Sequence, residues 1–236
     1  MISVRKSNER GHLNFGWLDT YHTFSFGSYF DRHHMQFQSL RVINQDTIEA
    51  GHGFPTHPHD NMEIFTYVTK GALAHKDSMG SEEVIREGDV QIMSAGTGIT
   101  HSEYNDLKDA TTELYQIWIM PNQQNLTPQY QQHHFKPEEK QNILKLILAP
   151  KQQDNALIIH QDAYVYASLL DTNMSLTHEI KDGRHIWIQV VSGELIINGL
   201  KVETSDGVAI SDEDSVTIEA ISDSEFLLFD LAELKR

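Results

Sequence analysis

The stretch Gly51-His52-Gly53-Phe54-Pro55-Thr56-His57-Pro58-His59-Asp60-Asn61-Met62-Glu63 runs into a β-branched and aromatic segment that ends at Gly71, and its reading decides the fold. In an extended strand residues two apart point to one face, so His57 and His59 present both imidazoles on the same side, ~6.6 Å apart along the backbone. Gly96-Thr97-Gly98-Ile99-Thr100-His101-Ser102-Glu103-Tyr104-Asn105 repeats the arrangement with His101 and Glu103. With the two strands as neighbours ~4.8 Å apart, four side chains surround one point: three imidazoles and one carboxylate. On an unbroken strand Glu63, at an even separation from both histidines, faces the same cavity as an alternative or neighbouring carboxylate. Such a set suits Fe(II), and also Mn, Co, Ni, Cu or Zn. Four ligands on one side leave about two octahedral positions for a substrate oxygen and O2.

Outward from this core the chain reads as β throughout. Short runs rich in β-branched and aromatic residues at 39–44, 63–69, 90–94, 113–120, 157–160, 187–191, 194–197, 215–220 and 225–230 alternate with Gly, Asp and Asn turns, the pattern of a sandwich or barrel. Asn198-Gly199 between two apolar triplets is a two-residue hairpin signal. Helix is expected only at 137–148 and as one terminal turn at 231–236. The halves look duplicated: Val68-Thr69-Lys70-Gly71 resembles Val190-Val191-Ser192-Gly193, and Glu87-Gly88-Asp89-Val90-Gln91-Ile92 resembles Ser205-Asp206-Gly207-Val208-Ala209-Ile210. A change to Gln, Asn, His, Pro and Lys after Pro121 predicts a linker over 121–156, between an N-terminal domain at 1–120 and a C-terminal domain at 157–236.

The 236 residues include no cysteine, which removes disulfides, thiolate nucleophiles and iron–sulfur clusters and leaves His and carboxylate as the metal ligands. Eighteen Lys and Arg against 34 Asp and Glu leave a net charge of −16, which argues against direct nucleic-acid contact. No apolar run has the length of a signal peptide or a membrane span, so a cytoplasmic address is expected.

Gly51-x5-His57-x-His59-x3-Glu63-x7-Gly71 and Gly98-x2-His101-x3-Asn105 resemble the two cupin motifs. Gly16-Trp17-Leu18-Asp19, His22-Thr23-Phe24-Ser25-Phe26, Thr56-His57-Pro58-His59 and Ile92-Met93-Ser94-Ala95-Gly96-Thr97-Gly98 resemble those of the pirins, a bicupin family. The resemblance implies an all-β bicupin: two antiparallel cupin barrels (double-stranded β-helices), a short linker and little helix. It also implies that the carboxylate ligand comes from the second motif, so that His57, His59, His101 and Glu103 hold one divalent transition metal per chain, Fe(II) being the expected one. Bacterial pirins of this type are known for quercetin 2,3-dioxygenase activity, and eukaryotic pirin as an iron-binding nuclear co-regulator.

Superposing the halves on Gly71 and Gly193 puts Glu179 and Lys181 where His57 and His59 stand, and an ammonium repels a cation, so the C-terminal domain is expected to be metal-free. His160, His178 and His185 are then structural or surface residues, while His52 and His75 flank the metal strand. The leading functional expectation is a metal-dependent dioxygenase taking a small aromatic hydroxy-ketone and O2, with Glu103 as ligand and base and Glu63 as the alternative base. Phe24, Phe26, Phe37, Phe65, Tyr67 and Met93 are the candidate pocket walls. The alternatives are an iron-binding regulatory module acting through a protein partner, and an isomerase or decarboxylase working without O2.

Overall fold

A computed structural model describes residues 1–234, almost all in strands and turns. In chain order the strands begin with β1 (Ile2–Arg5), β2 (Gly11–Asn14), β3 (Leu18–His22), β4 (Leu40–Ile48), β5 (Gly53–His59), β6 (Glu63–Lys70) and β7 (Ala72–Asp77). Then come β8 (Glu82–Arg86), β9 (Asp89–Ser94), β10 (Ile99–Asn105), β11 (Thr112–Ile119) and β12 (Gln129–His134). A single-turn helix, α1 (Pro137–Lys140), precedes β13 (Lys145–Ala149), β14 (Leu157–Ile158), β15 (Ala163–Leu170), β16 (Ser175–Glu179) and β17 (Arg184–Ser192). The last strands are β18 (Glu194–Ile197), β19 (Leu200–Glu203), β20 (Gly207–Ile210), β21 (Ser215–Ala220) and β22 (Ser224–Ala232).

Two compact units result. The first holds residues 11–134 and 159–161, the second residues 1–10, 135–158 and 162–236. The first has a seven-stranded sheet in the order β12-β9-β6-β11-β4-β3-β2 and a four-stranded sheet β5-β10-β7-β8. The second has β1-β20-β17-β22-β15-β13-β14 and β16-β21-β18-β19. Read strand against strand the two lists correspond, with β1 standing where β12 stands, so the duplication seen in sequence is a duplication of topology. Gly71 and Gly193 sit at the same turn of each copy, with φ of 84° and 88°. Both are cupin-type barrels, and every pairing among the named strands is antiparallel except β13 with β14.

The interiors differ in chemistry. In the second unit Ile186, Ile188, Val190, Leu195, Val208 and Phe226 belong to a continuous aliphatic and aromatic core. The first unit interrupts its apolar clusters with buried His75, His101, Glu103 and Asp46.

Four expectations change. The 137–148 helix is only α1, because Leu146, Ile147 and Leu148 are taken by β13, where they are buried. The terminal turn at 231–236 is replaced at Leu231 and Ala232 by the end of β22, and Lys235 and Arg236 lie outside the described residues. The linker over 121–156 is not a separate element: β12 pairs with β9 in the first unit, and β13 joins β15 in the second. The polar composition at 129–134 is that of an edge strand with one row of backbone groups to solvent, while 121–128 is loop. Residues 1–10, expected in the N-terminal domain, belong to the second unit through β1 and β20. No helix among the described residues is long and apolar enough to cross a membrane.

Candidate metal centre and its pocket

β5 and β10 pair antiparallel with His101 opposite His57, and the register then shifts by one residue so that Glu103 stands opposite Phe54. A bulge of this kind re-aims side chains at a site. The extra residue lies on β5, which carries Gly53 against Tyr104. A Cβ on Gly53 would come within 2.2 Å of the Glu103 carbonyl oxygen and 2.5 Å of Tyr104 Cα, so glycine permits the close approach that brings the two histidine strands together.

The ring nitrogens of His57, His59 and His101 converge within 4.8 Å of one another. Their ring centroids are 4.7 Å (His57–His59), 4.5 Å (His57–His101) and 4.9 Å (His59–His101) apart. Glu103 lies within the same distance of His101 and His75 and, with His57 and His59, lines one pocket. His57 Nδ1 donates to the Pro55 carbonyl at 2.8 Å; a carbonyl only accepts, so the proton is on Nδ1 and the lone pair on Nε2. His101 is buried and its Nε2 has no hydrogen-bond partner.

The electrostatics agree. Burial, with His57 beside it and against Asp60, holds His59 down to about 4. Burial together with His57, His59 and His75, against Asp77, takes His101 down to about 2. Two imidazoles held neutral, a third converging on them and an orphaned buried nitrogen on His101 are what a cation would satisfy. Glu103 accepts from Gln116 Nε2 at 2.8 Å and is pushed up to about 7 by burial and by Asp46, against hydrogen bonds from Gln116 and Thr66. Among the described residues, the groups of three or more potential ligands all lie in the first unit.

The pocket at this cluster measures about 430 Å³. Phe26, Phe54 and Trp118 wall it, and Asn44, Asp46 and Gln116 supply polar groups beside the histidines. Of the six aromatic and methionine residues named as candidate walls, Phe26 is in place, Phe24, Phe65, Tyr67 and Met93 are core, and Phe37 is half-buried and outside the pocket. Trp118, Asp46 and Gln116 carried no motif. The one available signal was polarity inside apolar strand runs, Asp46 in β4 and Gln116 in β11.

Glu63 is a correction. The strand is not unbroken: β5 ends at His59 and Asn61 turns the chain at φ 44° before β6 begins. Glu63 is not among the residues of this pocket. It is buried, and its Oε2 accepts from Ser94 Oγ (2.9 Å) and from the backbone N–H of His160 (3.1 Å). His160 is thereby structural, as are His178, bonded to Asp230 at 2.9 Å, and His185, bonded to Ser211 at 2.8 Å. His52 is exposed and stacks on Trp17, while His75 is buried behind His101.

Residues 3–119 match the family described as Pirin, and residues 146–231 the family described as Quercetinase C-terminal cupin domain. The quercetin 2,3-dioxygenase of Escherichia coli is 53% identical over 231 residues, which cover 98% of this chain and 99% of that protein. A pirin-like protein of Caulobacter vibrioides is 38% identical over 233 residues, 98% of this chain and 100% of its own. The crystal structure of the Escherichia coli bacterial pirin YhhW in complex with nickel(II) aligns with a TM-score of 0.95 at 52% identity, over 99% of this chain and 100% of that one. With two cupin-type units, the histidine cluster in the first, and full-length identity at this level, the chain belongs to the pirin family.

Proposed function

We propose that this protein is a metal-dependent dioxygenase that opens a flavonol such as quercetin with O2. The observation that carries the reading is the convergence of three imidazoles, His57, His59 and buried His101, beside an apolar pocket of about 430 Å³ that His57, His59 and the buried Glu103 line, a size suited to a small polycyclic ligand. His57, His59, His101 and Glu103 would hold one divalent metal, with Fe(II) the proposed native ion. When bound, such an ion supplies a Lewis-acid centre and, as Fe(II), a one-electron couple. Phe26, Phe54 and Trp118 offer faces to a flat aromatic and exclude water from it. Glu103, buried and lining the same pocket as His57 and His59, is placed to take up the proton that the substrate hydroxyl gives up. The second unit is read as metal-free, its interior packed with hydrocarbon and its Glu179 and Lys181 exposed. A cysteine-free chain also fits a reducing cytoplasm as its place of work.

The test is oxygen uptake with a flavonol by iron-loaded protein. Glu103→Gln keeps size but loses charge and base, and is expected to bind metal more weakly and, when saturated with Fe(II), to lose ~10²-fold or more in turnover. Glu63→Gln, outside the pocket, is expected to leave turnover within a few-fold of wild type. Collapse in Glu63→Gln with near-normal turnover in Glu103→Gln would move the base to Glu63. No oxygen consumption by iron-loaded wild type would move the protein to the regulatory reading.

A further inference from the structure

Behind His101 lies a buried chain of polar side chains that the reaction as described does not use. His101 Nδ1 faces His75 Nδ1 at 3.5 Å, and His75 Nε2 faces Asp77 Oδ2 at 3.2 Å. All three residues are buried, and the side chains of His75 and Asp77 are fully shielded from solvent. The other Asp77 oxygen, Oδ1, accepts from the backbone N–H groups of Met79 (2.8 Å) and Ser81 (3.0 Å). These bonds tie the carboxylate to the β7–β8 turn and fix which oxygen faces the histidine.

Proton positions along the chain follow from donor and acceptor counting. A carboxylate accepts, so His75 carries its proton on Nε2. Neutral His75 then has a lone pair on Nδ1, and the facing His101 Nδ1 must supply the proton between them. His101 is left with a bare Nε2, the atom that has no partner in the protein. We propose that His75 and Asp77 are positioning residues that set the tautomer of His101, so that its Nε2 lone pair is presented to the metal. The inference rests on the metal reading above, and it makes His101 differ from His57, whose tautomer is set directly by the Pro55 carbonyl. Outer partners of this kind orient ligand imidazoles and raise their basicity, and their loss typically costs 10–100-fold in metal affinity.

Asp77→Asn is the discriminating variant because it is isosteric. Its Oδ1 stays committed to the Met79 and Ser81 N–H groups, so the amide NH2 replaces Oδ2 in front of His75 Nε2. Two donors cannot face each other; His75 must move its proton to Nδ1 and His101 must move its own to Nε2, where it blocks ligation. His75→Phe is the second variant: it removes the acceptor while keeping a ring against Tyr130, 4.8 Å from the His75 centroid. The measurements are long-range 1H–15N correlation spectra of the histidine rings in the metal-free full-length chain, and Ni(II) affinity by chelator competition.

Wild type is expected to show His101 protonated on Nδ1 and His75 on Nε2. Asp77→Asn is expected to reverse both and weaken Ni(II) binding about 10–100-fold. His75→Phe is expected to mix the His101 tautomers and weaken binding to a similar degree. His101 protonated on Nδ1 in all three proteins, with unchanged affinity, would overturn the inference. The tautomers are read without metal, so they decide it even if wild type fails to take up Ni(II), a result that would overturn the metal reading alone.

Discussion

Burial makes a weak acid of Asp46, pushed up to about 7 against a hydrogen bond from Thr20, while the same burial depresses His59 and His101. In the metal-free chain the two kinds of group oppose each other. An acid whose folded pKa lies above its unfolded value contributes stability at low pH that is lost as pH rises through the folded pKa, here between about 4 and 7. A histidine whose folded pKa lies below its unfolded value loses stability in the other direction, as pH falls below ~6.5. Asp46→Asn removes the first effect and leaves the second. Its melting temperature in metal-free protein should therefore lie close to wild type near pH 4, above it by pH 5 to 6, and several degrees above it at pH 8, as calorimetry would show. A difference that stays flat with pH would contradict the assignment. Asp46 also marks the limit of reading a site from sequence. His57, His59 and His101 were legible because strand periodicity and glycine spacing define a face. Asp46 and Gln116 reach the pocket from β4 and β11, through pairings that no local pattern encodes.

At the scale of elements the site depends on how closely β5 approaches β10. Gly53→Ala places a methyl against backbone atoms that cannot turn aside, so β5 must lift and carry His57 and His59 away from His101. Overpacking of this kind costs about 1–3 kcal/mol. The expected result is a matching loss of stability in urea denaturation together with weakened Ni(II) binding, although no ligand is changed; unaltered Ni(II) affinity would show that β5 accommodates the methyl. The β18–β19 hairpin was legible in full, since Asn198 and Gly199 have φ of 44° and 82°, the left-handed pair that a tight two-residue turn needs. The helix over 137–148 was misjudged because a short apolar run has no decisive period, and β13 won it by pairing with β15. The edge strands β8 and β12 were missed because alternation on a half-exposed edge looks like loop composition.

For the whole molecule, the decisive departures from the sequence reading are that β12, from the expected linker, completes the first unit's large sheet and that β1, from the far end of the chain, completes the second unit's. β12 closes the first unit's sheet against β9, and β1 closes the second unit's sheet against β20. The β1 segment is anchored at its end by Asp206, whose buried carboxylate accepts from Lys6 Nζ and the Ser7 N–H, both at 2.7 Å. Lys6→Met leaves that carboxylate with backbone donors but no countercharge, and should cost about 1–3 kcal/mol in the second unit. Metal uptake by the first unit should not change, so a loss of metal content in Lys6→Met would contradict the division of labour between units. Duplication was visible in the repeated turns, but which strand completes which sheet was not, because β1 and β20 are joined only by long-range pairing. The same arrangement sets a timetable during synthesis. β1 leaves the ribosome roughly 200 residues ahead of β20, about 10–40 s at ordinary elongation rates. The first unit's large sheet can be finished by β12 within that interval, whereas β1 waits as an unclaimed strand, which makes the nascent β1 segment a candidate for a chaperone's cover.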